Sequence, residues 1–516
     1  MTKDSPHVVV IGAGIGGLSA AALLAKSGYR VTVLEAQTYP GGCASTFYHQ
    51  GYRFDSGATL AGGFQPGGPH QIIGNQLGIE WPVRPTEVAW QVHLPGQTVT
   101  LTSDYGDLLH QFPHTRAFWE QQATIADIAW QLSARGLPWP PTGPAELLQL
   151  AKVGLAGFPR DLNVLPYTWR SVQGWLKQHK LDSDPVFKRF VDAQLLISAQ
   201  TTSEDANALY GATALDLARQ GVQHVEGGIG RLAETLVKAI RALGGEVHYR
   251  HRVKQIVVEQ GRATGVLAFR GRHDNTGTLI PADFIVANMT PWSLEEVLGE
   301  ASPWRLQRET AQRAAGWGAF VLHLGIAAAA LPQAIPDHHQ IITALEGPLG
   351  EGRSIFVSMS PEWDSSRAPA GKRAATITTH TRVQPWWDLL ATDEAAYHAH
   401  KSAYAEQILT AIDQAVPGFR ESVDLCLPGS PVTYAFYTDR HQGMVGGFPQ
   451  ISLFKARGPR TGIPNLRLVG DSIFPGQSTA GVTIGAMRVA RDVERALSRR
   501  RERPSGRQLL TEIPSS

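Results

Sequence analysis

Gly12, Gly14 and Gly17 form a G-x-G-x-x-G array. A carboxylate, Glu35, follows about 20 residues on, the spacing at which an acid can accept the ribose hydroxyls of a bound dinucleotide. Gly12 allows a tight turn, Gly14 lets a pyrophosphate approach the backbone, and Gly17 lets the helix pack closely on the strand, with the helix N-terminus facing the anion. A phosphate on the ribose would be repelled by Glu35. Residues 8–35 therefore read as a strand, a glycine turn, a helix and a second strand.

Two further clusters change the expected cofactor from a nicotinamide to a flavin dinucleotide. After Glu35 and Ala36 the chain runs through Pro40-Gly41-Gly42-Cys43. A backbone without side chains there can lie along the ribityl and phosphate portion of FAD, and Phe54-Asp55-Ser56-Gly57 would extend that loop. Far downstream, a short apolar strand at 465–469 delivers Gly470-Asp471, whose carboxylate can bind a ribityl hydroxyl. A helix over 481–497, opening at Gly481-Val482, would present backbone N–H groups that stabilise negative charge on a reduced flavin ring.

The elements that must carry these groups lie far apart in the chain. Glu226-Gly227-Gly228-Ile229-Gly230, a helix through Arg241, Gly244-Gly245 and a strand-like run over 247–258 resemble a further βαβ component. Residues 282–288 read as a buried strand. The expected fold is α/β: a discontinuous Rossmann-like FAD-binding domain (1–70, 220–295 and 455–498) with a mixed-sheet plus helical substrate domain (71–219 and 296–454). Residues 499–516, with Arg499, Arg500, Arg501 and Arg503, read as a disordered, solvated tail or a basic patch for anionic lipid.

Composition narrows the function. A chain of 516 residues that is 43% hydrophobic buries a substantial core in two or three domains. The net charge of +2 gives no reason to expect nucleic acid. Only 18% of residues are charged and 13 are Trp, against roughly 25% charged in ordinary soluble domains, which suits contact with lipid or an apolar ligand. Cys43 and Cys426, the only cysteines, form no disulfide framework or thiolate metal site and fit a reducing compartment. Cys43 reads as a small side chain tolerated near the cofactor and Cys426 as a core residue. The 18 His show no ligand spacing, so no metal is expected. No Ser-His-Asp, HExxH or phosphate-transfer signature is present. The uncharged run over 8–25 could pass for a membrane span or signal peptide. Its central glycines, the lack of a basic leader and the lack of a cleavage site argue against both.

Across nearly its whole length the sequence resembles FAD-dependent carotenoid desaturases and isomerases of the bacterial phytoene-desaturase type. The resemblance rests on GAGIGGLSAAALLAKSGYRVTVLEA, PGGCAST, YRFDSGATL, EGGIGRLAETLVKAI and LVGDSIFPGQSTAGV. GGCASTFYH, AGGF and GMVGGFPQ are most similar to the cyanobacterial-type carotenoid C-3′,4′ desaturases. The resemblance implies FAD held by Gly12, Ala13, Gly14, Gly16, Gly17, Glu35, Ala36, Gly41, Gly42, Cys43, Val253, Gly470, Asp471, Gly481 and Val482. It also implies a carotenoid substrate, a quinone or oxygen as electron acceptor, and peripheral contact with the cytoplasmic face of a plasma or thylakoid membrane. A polyene supports positive charge along its conjugation, so a flavin in a dry pocket suffices without a named catalytic acid or base. A cis–trans isomerase using reduced FAD, a phytoene-type desaturase, an amine oxidase and a non-catalytic prenyl or pigment escort remain as alternatives.

The intervening blocks are expected to shape the substrate chamber. Residues 104–218 read as helices whose aromatic and aliphatic faces pack internally. The sparsely charged stretch 145–158 either packs inside or lies in a membrane interface. Residues 376–379 and 432–437 read as strands flooring the pocket, and Trp386-Trp387 either line it or pack.

Overall fold

The computed structural model describes residues 5–271, 274–313, 316–332 and 334–501; of the tail expected at 499–516, residues 499–501 instead close the helix Ser478–Arg501, and the rest, including Arg503, lies outside the described residues. A five-stranded parallel sheet, in the order Leu466–Leu468, Phe284–Ala287, His7–Ile11, Arg30–Leu34 and Glu246–His248, carries the glycine turn. Its strands are Val/Ile/Leu-rich and almost wholly buried, as a parallel sheet covered on both faces requires. Helix Ile15–Lys26 packs on it between Gly230–Ala242 and the C-terminal helix Ser478–Arg501. The antiparallel ribbon His251–Glu259, Arg262–Arg270 and Thr278–Pro281 contributes Val253, Ile256 and Val266 to the same core.

The expected βαβ unit at 225–258 forms only in part. Gln223–Val225 pairs antiparallel with Val83–Pro85 rather than joining the parallel sheet. Gly227 and Gly228, at φ +80° and +102°, then turn the chain, and Asp55 Oδ1 accepts the Ile229 N–H at 2.9 Å. The 54–57 segment is likewise not a simple loop. Tyr52–Asp55 is a strand paired with Thr46–His49, and Asp55 is buried against Arg367 at 3.0 Å.

A seven-stranded mixed sheet faces the glycine turn, in the order Val423–Gly429, Trp317–Ala327, Lys372–Arg382, Ser354–Met359, His338–Ile342, Val88–Leu94 and Gln97–Thr102. Side chains alternate across it with period two. Phe320, Leu322 and Ile377 enter a core with helix Glu394–Ala415, while Val321, His323, Thr378 and His380 face a large cavity. Thr376–Thr379 are thus strand residues as expected. The 432–437 segment is instead in helix Pro431–Thr438. Ser430 caps that helix in a capping box with Thr433, and Pro431 occupies its first turn, which outweighs the β-propensity of Val, Thr and Tyr. Trp386 is in the core, whereas Trp387 lines the cavity. Cys426 is exposed rather than in the core, because Val423–Gly429 is an edge strand whose Leu425 and Leu427 take the inward positions.

Residues 106–220 are helical and pack around Trp175, Phe118, Phe187 and Phe190. Helix Pro144–Ala156 departs from this pattern: only Glu146 and Val153 are buried. Leu147, Leu148 and Leu155 project from it, followed by Phe158, Leu162 and Leu165, all exposed and with Leu155 reaching 75%. Internal packing is therefore excluded for this segment. Its base is fixed by Glu146, which meets Arg488 of the C-terminal helix at 3.0 Å with both side chains buried. Among the described residues no helix is long and apolar enough to cross a membrane.

Burial alone would raise the Glu146 pKa, but hydrogen bonds and charge from Arg488, with further bonds from Thr142, hold it below the ordinary value. A depressed carboxyl contributes stability above its unfolded pKa and loses it as pH falls through the folded one. Arg488→Met should therefore destabilise the fold by about 3 kcal/mol near neutral pH, by leaving a buried charge unpaired. The loss should shrink below the ordinary Glu range, as measured by urea unfolding at several pH values.

Candidate functional site

One cavity of about 1770 Å³ runs from the carboxyl ends of the parallel strands to the face of the seven-stranded sheet. Its cofactor end is built by close backbone approaches. A Cβ on Gly17 would sit 2.4 Å from Gly12 O, and one on Gly12, at φ +88°, would sit 2.9 Å from Asn288 O. Gly16 comes within 3.1 Å of the Gly470 Cα by the same measure. The two glycine loops lie side by side: Gly41 N–H donates to Ala13 O at 2.8 Å, and Gly14 and Gly41 form a parallel bridge. Gly41 has φ +118°, and a Cβ there would lie 2.5 Å from Ala44 O.

Of the sequence-predicted residues, Gly12, Gly14, Gly16, Glu35, Ala36, Gly41, Gly42, Cys43, Val253, Gly470, Asp471, Gly481 and Val482 line this cavity. The lining does not include Ala13 or Gly17. Ala13 N–H donates to Glu35 Oε2 at 2.7 Å, and Gly17 serves helix packing. The Gln37 N–H donates to Glu35 Oε1 at 2.8 Å. Burial raises the Glu35 pKa and these two N–H bonds oppose the rise. The carboxylate is thereby held at the groove with lone pairs left for ribose hydroxyls. The C-terminal helix starts at Ser478, three residues before the expected Gly481, and the Gly481 N–H is already capped by Ser478 Oγ at 3.1 Å.

Several groups in the cavity were not anticipated. Arg440 Nη1 meets Asp471 Oδ2 at 2.9 Å. Tyr434 lines the wall beside Cys43, and burial, followed by the Cys43 contact, pushes its phenol pKa well up. At the sheet end, burial lowers His323 and His380 to about 4, so both are neutral near pH 7. The buried Gln200 sits beside His380 at 3.2 Å, with its Oε1 unpartnered. Arg440 and Tyr434 flank or precede the GMVGGF run, the only sequence signal for this wall. His323, His380 and Gln200 carried none, since they come from three separate elements.

The groove fits a flavin dinucleotide. Its glycines keep side chains out of the path a pyrophosphate would take, a carboxylate stands at each end, and the first turn of Ser478–Arg501 meets the cavity. The volume exceeds the roughly 300–1,000 Å³ of an ordinary ligand pocket, leaving a second chamber beyond the groove. Among the described residues no group of three or more His, Cys, Asp or Glu is placed to hold a metal ion.

Comparison with known proteins agrees with this geometry. The chain is 29% identical over 512 residues to the chloroplastic prolycopene isomerase of Daucus carota, covering 94% of this chain and 80% of that protein. It is 24% identical over 544 residues to the neurosporene-forming phytoene desaturase of Cereibacter sphaeroides, covering 99% of each. In fold it is similar to an oxidoreductase from Methanosarcina mazei (TM-score 0.63, 18% identity, 94% and 100% of the two chains). It is similar also to putrescine oxidase bound to putrescine (TM-score 0.63, 14% identity, 95% and 99%). The family model described as flavin containing amine oxidoreductase matches residues 15–494, and the chain belongs to that family of FAD-dependent oxidoreductases.

Proposed function

We propose that the protein is an FAD-dependent oxidoreductase of carotenoid biosynthesis that desaturates a C–C bond of a long polyene, with the 3,4 bond (C-3′,4′) as target. The observation that carries this is the continuity of the flavin-fitting groove with a second chamber walled by Trp90, Val321, Phe356 and Leu217, large enough for an apolar chain beside the cofactor. Relatives named as a prolycopene isomerase and a phytoene desaturase support the substrate class. We assign the cofactor lobe to residues 1–70, 220–295 and 455–498 and the substrate lobe to 71–219 and 296–454. Helix Pro69–Leu77 adds Ile73 to the cofactor core.

FAD would supply hydride acceptance when bound, with a quinone or oxygen as the proposed electron acceptor. The chain's own residues bind and orient. Glu35 would hold the ribose hydroxyls of a bound FAD, Gly12, Gly14 and Gly16 would admit its pyrophosphate, Gly41 and Gly42 its ribityl chain, and Asp471 would bind a ribityl hydroxyl. The apolar part of the wall, Trp90, Val321, Leu217 and Phe356, would lower the water content around a bound polyene, so that charge developing on it would be met by conjugation rather than solvent. Neutral His323 and His380 add no positive charge to oppose it.

A polyene reaches such a chamber from a membrane. The exposed Leu147, Leu148, Leu155 and Phe158 with Lys152 nearby fit an interfacial helix whose cation reaches lipid headgroups. This supports peripheral membrane attachment, which we assign to the cytoplasmic face of a plasma or thylakoid membrane.

The deciding experiment is anaerobic incubation of the FAD-loaded enzyme with carotenoids in liposomes, following flavin absorbance and product mass. Flavin bleaching with loss of one H₂ is expected. Unchanged mass with an altered isomer pattern, seen only after prereduction, would make it a cis–trans isomerase, the reading that the Daucus carota relative favours. No reaction with any polyene would sink both; peroxide released from a small amine would then point to an amine oxidase, and apolar-chain binding without flavin reduction to an escort.

Two variants test the parts. Glu35→Ala should weaken FAD binding about tenfold or more, since a site built to hydrogen-bond hydroxyls loses its acceptor; full flavin occupancy in dilute solution would refute its role. Leu155→Glu with Phe158→Glu should cut co-sedimentation with anionic liposomes by about tenfold or more while leaving FAD content intact. Unchanged sedimentation would remove this face from the membrane contact.

A further inference from the structure

The run Gly443-Met444-Val445-Gly446-Gly447 has no role in the groove described above, yet it spans the gap between the substrate sheet and Asp471. On one side Val445 N–H donates to Trp317 O at 2.9 Å, and Met444 bridges Gly318. On the other, a Cβ on Gly447 would lie 2.0 Å from Asp471 O. Gly443 and Gly446 have φ of +74° and +68°, and a Cβ on Gly443 would lie 1.8 Å from Pro431 O. No side chain fits at 443 or 447, and the turn is pressed against the strand end that carries the carboxylate.

Arg440 holds that turn with three groups of one guanidinium. Its Nε–H donates to Met444 O at 2.6 Å, its Nη2 to Gly446 O at 2.7 Å, and its Nη1 meets Asp471 Oδ2 at 2.9 Å. Asp471 Oδ1, among the described residues, accepts a long 3.4 Å hydrogen bond from the Ser472 hydroxyl. The planar fork of Arg matches this divergent set, whereas the ammonium of Lys is a point donor. Burial would lower the Arg440 pKa, but the charge and hydrogen bond of Asp471 together with Cys43 and Tyr434 outweigh it and keep the guanidinium charged.

We propose that Arg440 is a cofactor-positioning residue: it clamps the 443–447 turn to Asp471 and so fixes the carboxylate, leaving Oδ1 to receive a ribityl hydroxyl of FAD. The clamp also ties the wall of the substrate sheet to the cofactor, so that ordering one orders the other. This rests on the FAD assignment above and deepens it.

The test is a double-mutant cycle on FAD affinity, measured on reconstituted apoprotein by quenching of flavin fluorescence, with the thermal midpoint of each apoprotein recorded in parallel. Arg440→Gln and Asp471→Asn should each weaken binding about 30-fold, as expected for breaking a largely buried charge pair that orients a ligand group. The double variant should be no worse than about threefold beyond the weaker single, because the two residues act as one unit. Arg440→Lys should recover part of the affinity and is the fallback should Arg440→Gln not fold. The proposal is overturned if the two losses multiply, or if Arg440→Gln lowers the apoprotein midpoint yet binds FAD as the wild type does, which would leave Arg440 a loop anchor only. Failure of wild-type protein to bind FAD would instead refute the cofactor assignment, and the clamp with it.

Discussion

The architecture depends on how closely three strand ends approach one another at the crest of the parallel sheet. His7–Ile11, Phe284–Ala287 and Leu466–Leu468 are neighbours, and just past their ends Gly12 closes on the Asn288 carbonyl while Gly470 closes on the Asn288 side-chain oxygen. A Cβ on Gly12 or Gly17 would enter a carbonyl oxygen. The constraint is steric, and it leaves a groove whose floor is peptide and whose rim is Glu35 on one side and Asp471 on the other. A long anionic cofactor can lie there because no side chain competes for the space and the Ile15–Lys26 helix begins beneath it.

The rest of the molecule is attached to this crest by buried charge pairs rather than by continuous sheet. Asp55 joins two distant segments to its own hairpin: Arg367 at 3.0 Å and the Ile229 N–H at 2.9 Å, with the Thr46 hydroxyl of the paired strand at 2.7 Å. Glu146 and Arg488 anchor the exposed apolar helix to the C-terminal helix. Such pairs contribute little net stability relative to apolar packing, but their geometry is exacting, and removing one partner is costly. They hold the substrate sheet and the apolar face in register with the groove.

The legibility of the site followed its locality. Gly12, Gly14, Gly17 and Glu35 declare themselves because strand, turn, helix and strand are contiguous and each residue has a separate geometric duty. Gly41-Gly42 and Gly470-Asp471 could be recognised as backbone without side chains and an acid at a strand end. Ala13 and Gly17, expected at the cofactor, do not line the cavity: the Ala13 N–H binds Glu35, and Gly17 packs the helix against the Gly12 carbonyl. The helix Pro431–Thr438 was misread as a strand because its β-branched and aromatic residues hid the Ser430-Pro431 start signal. Cys426 was misplaced because an edge strand has an outward face that composition does not reveal.

The sequence by itself determined the parallel sheet, the dinucleotide groove and the flavin, because these depend on glycines and acids whose roles are set by their immediate chain neighbours. Tertiary structure alone decided which way helix Pro144–Ala156 turns its leucines, that Gln223–Val225 leaves the parallel sheet, and that His380, Gln200, Arg440 and Asp471 share one cavity. Those outcomes depend on contacts between segments separated by tens to hundreds of residues. A guanidinium pairs with a carboxylate according to where two strands and a turn end in space, and no local periodicity records that distance.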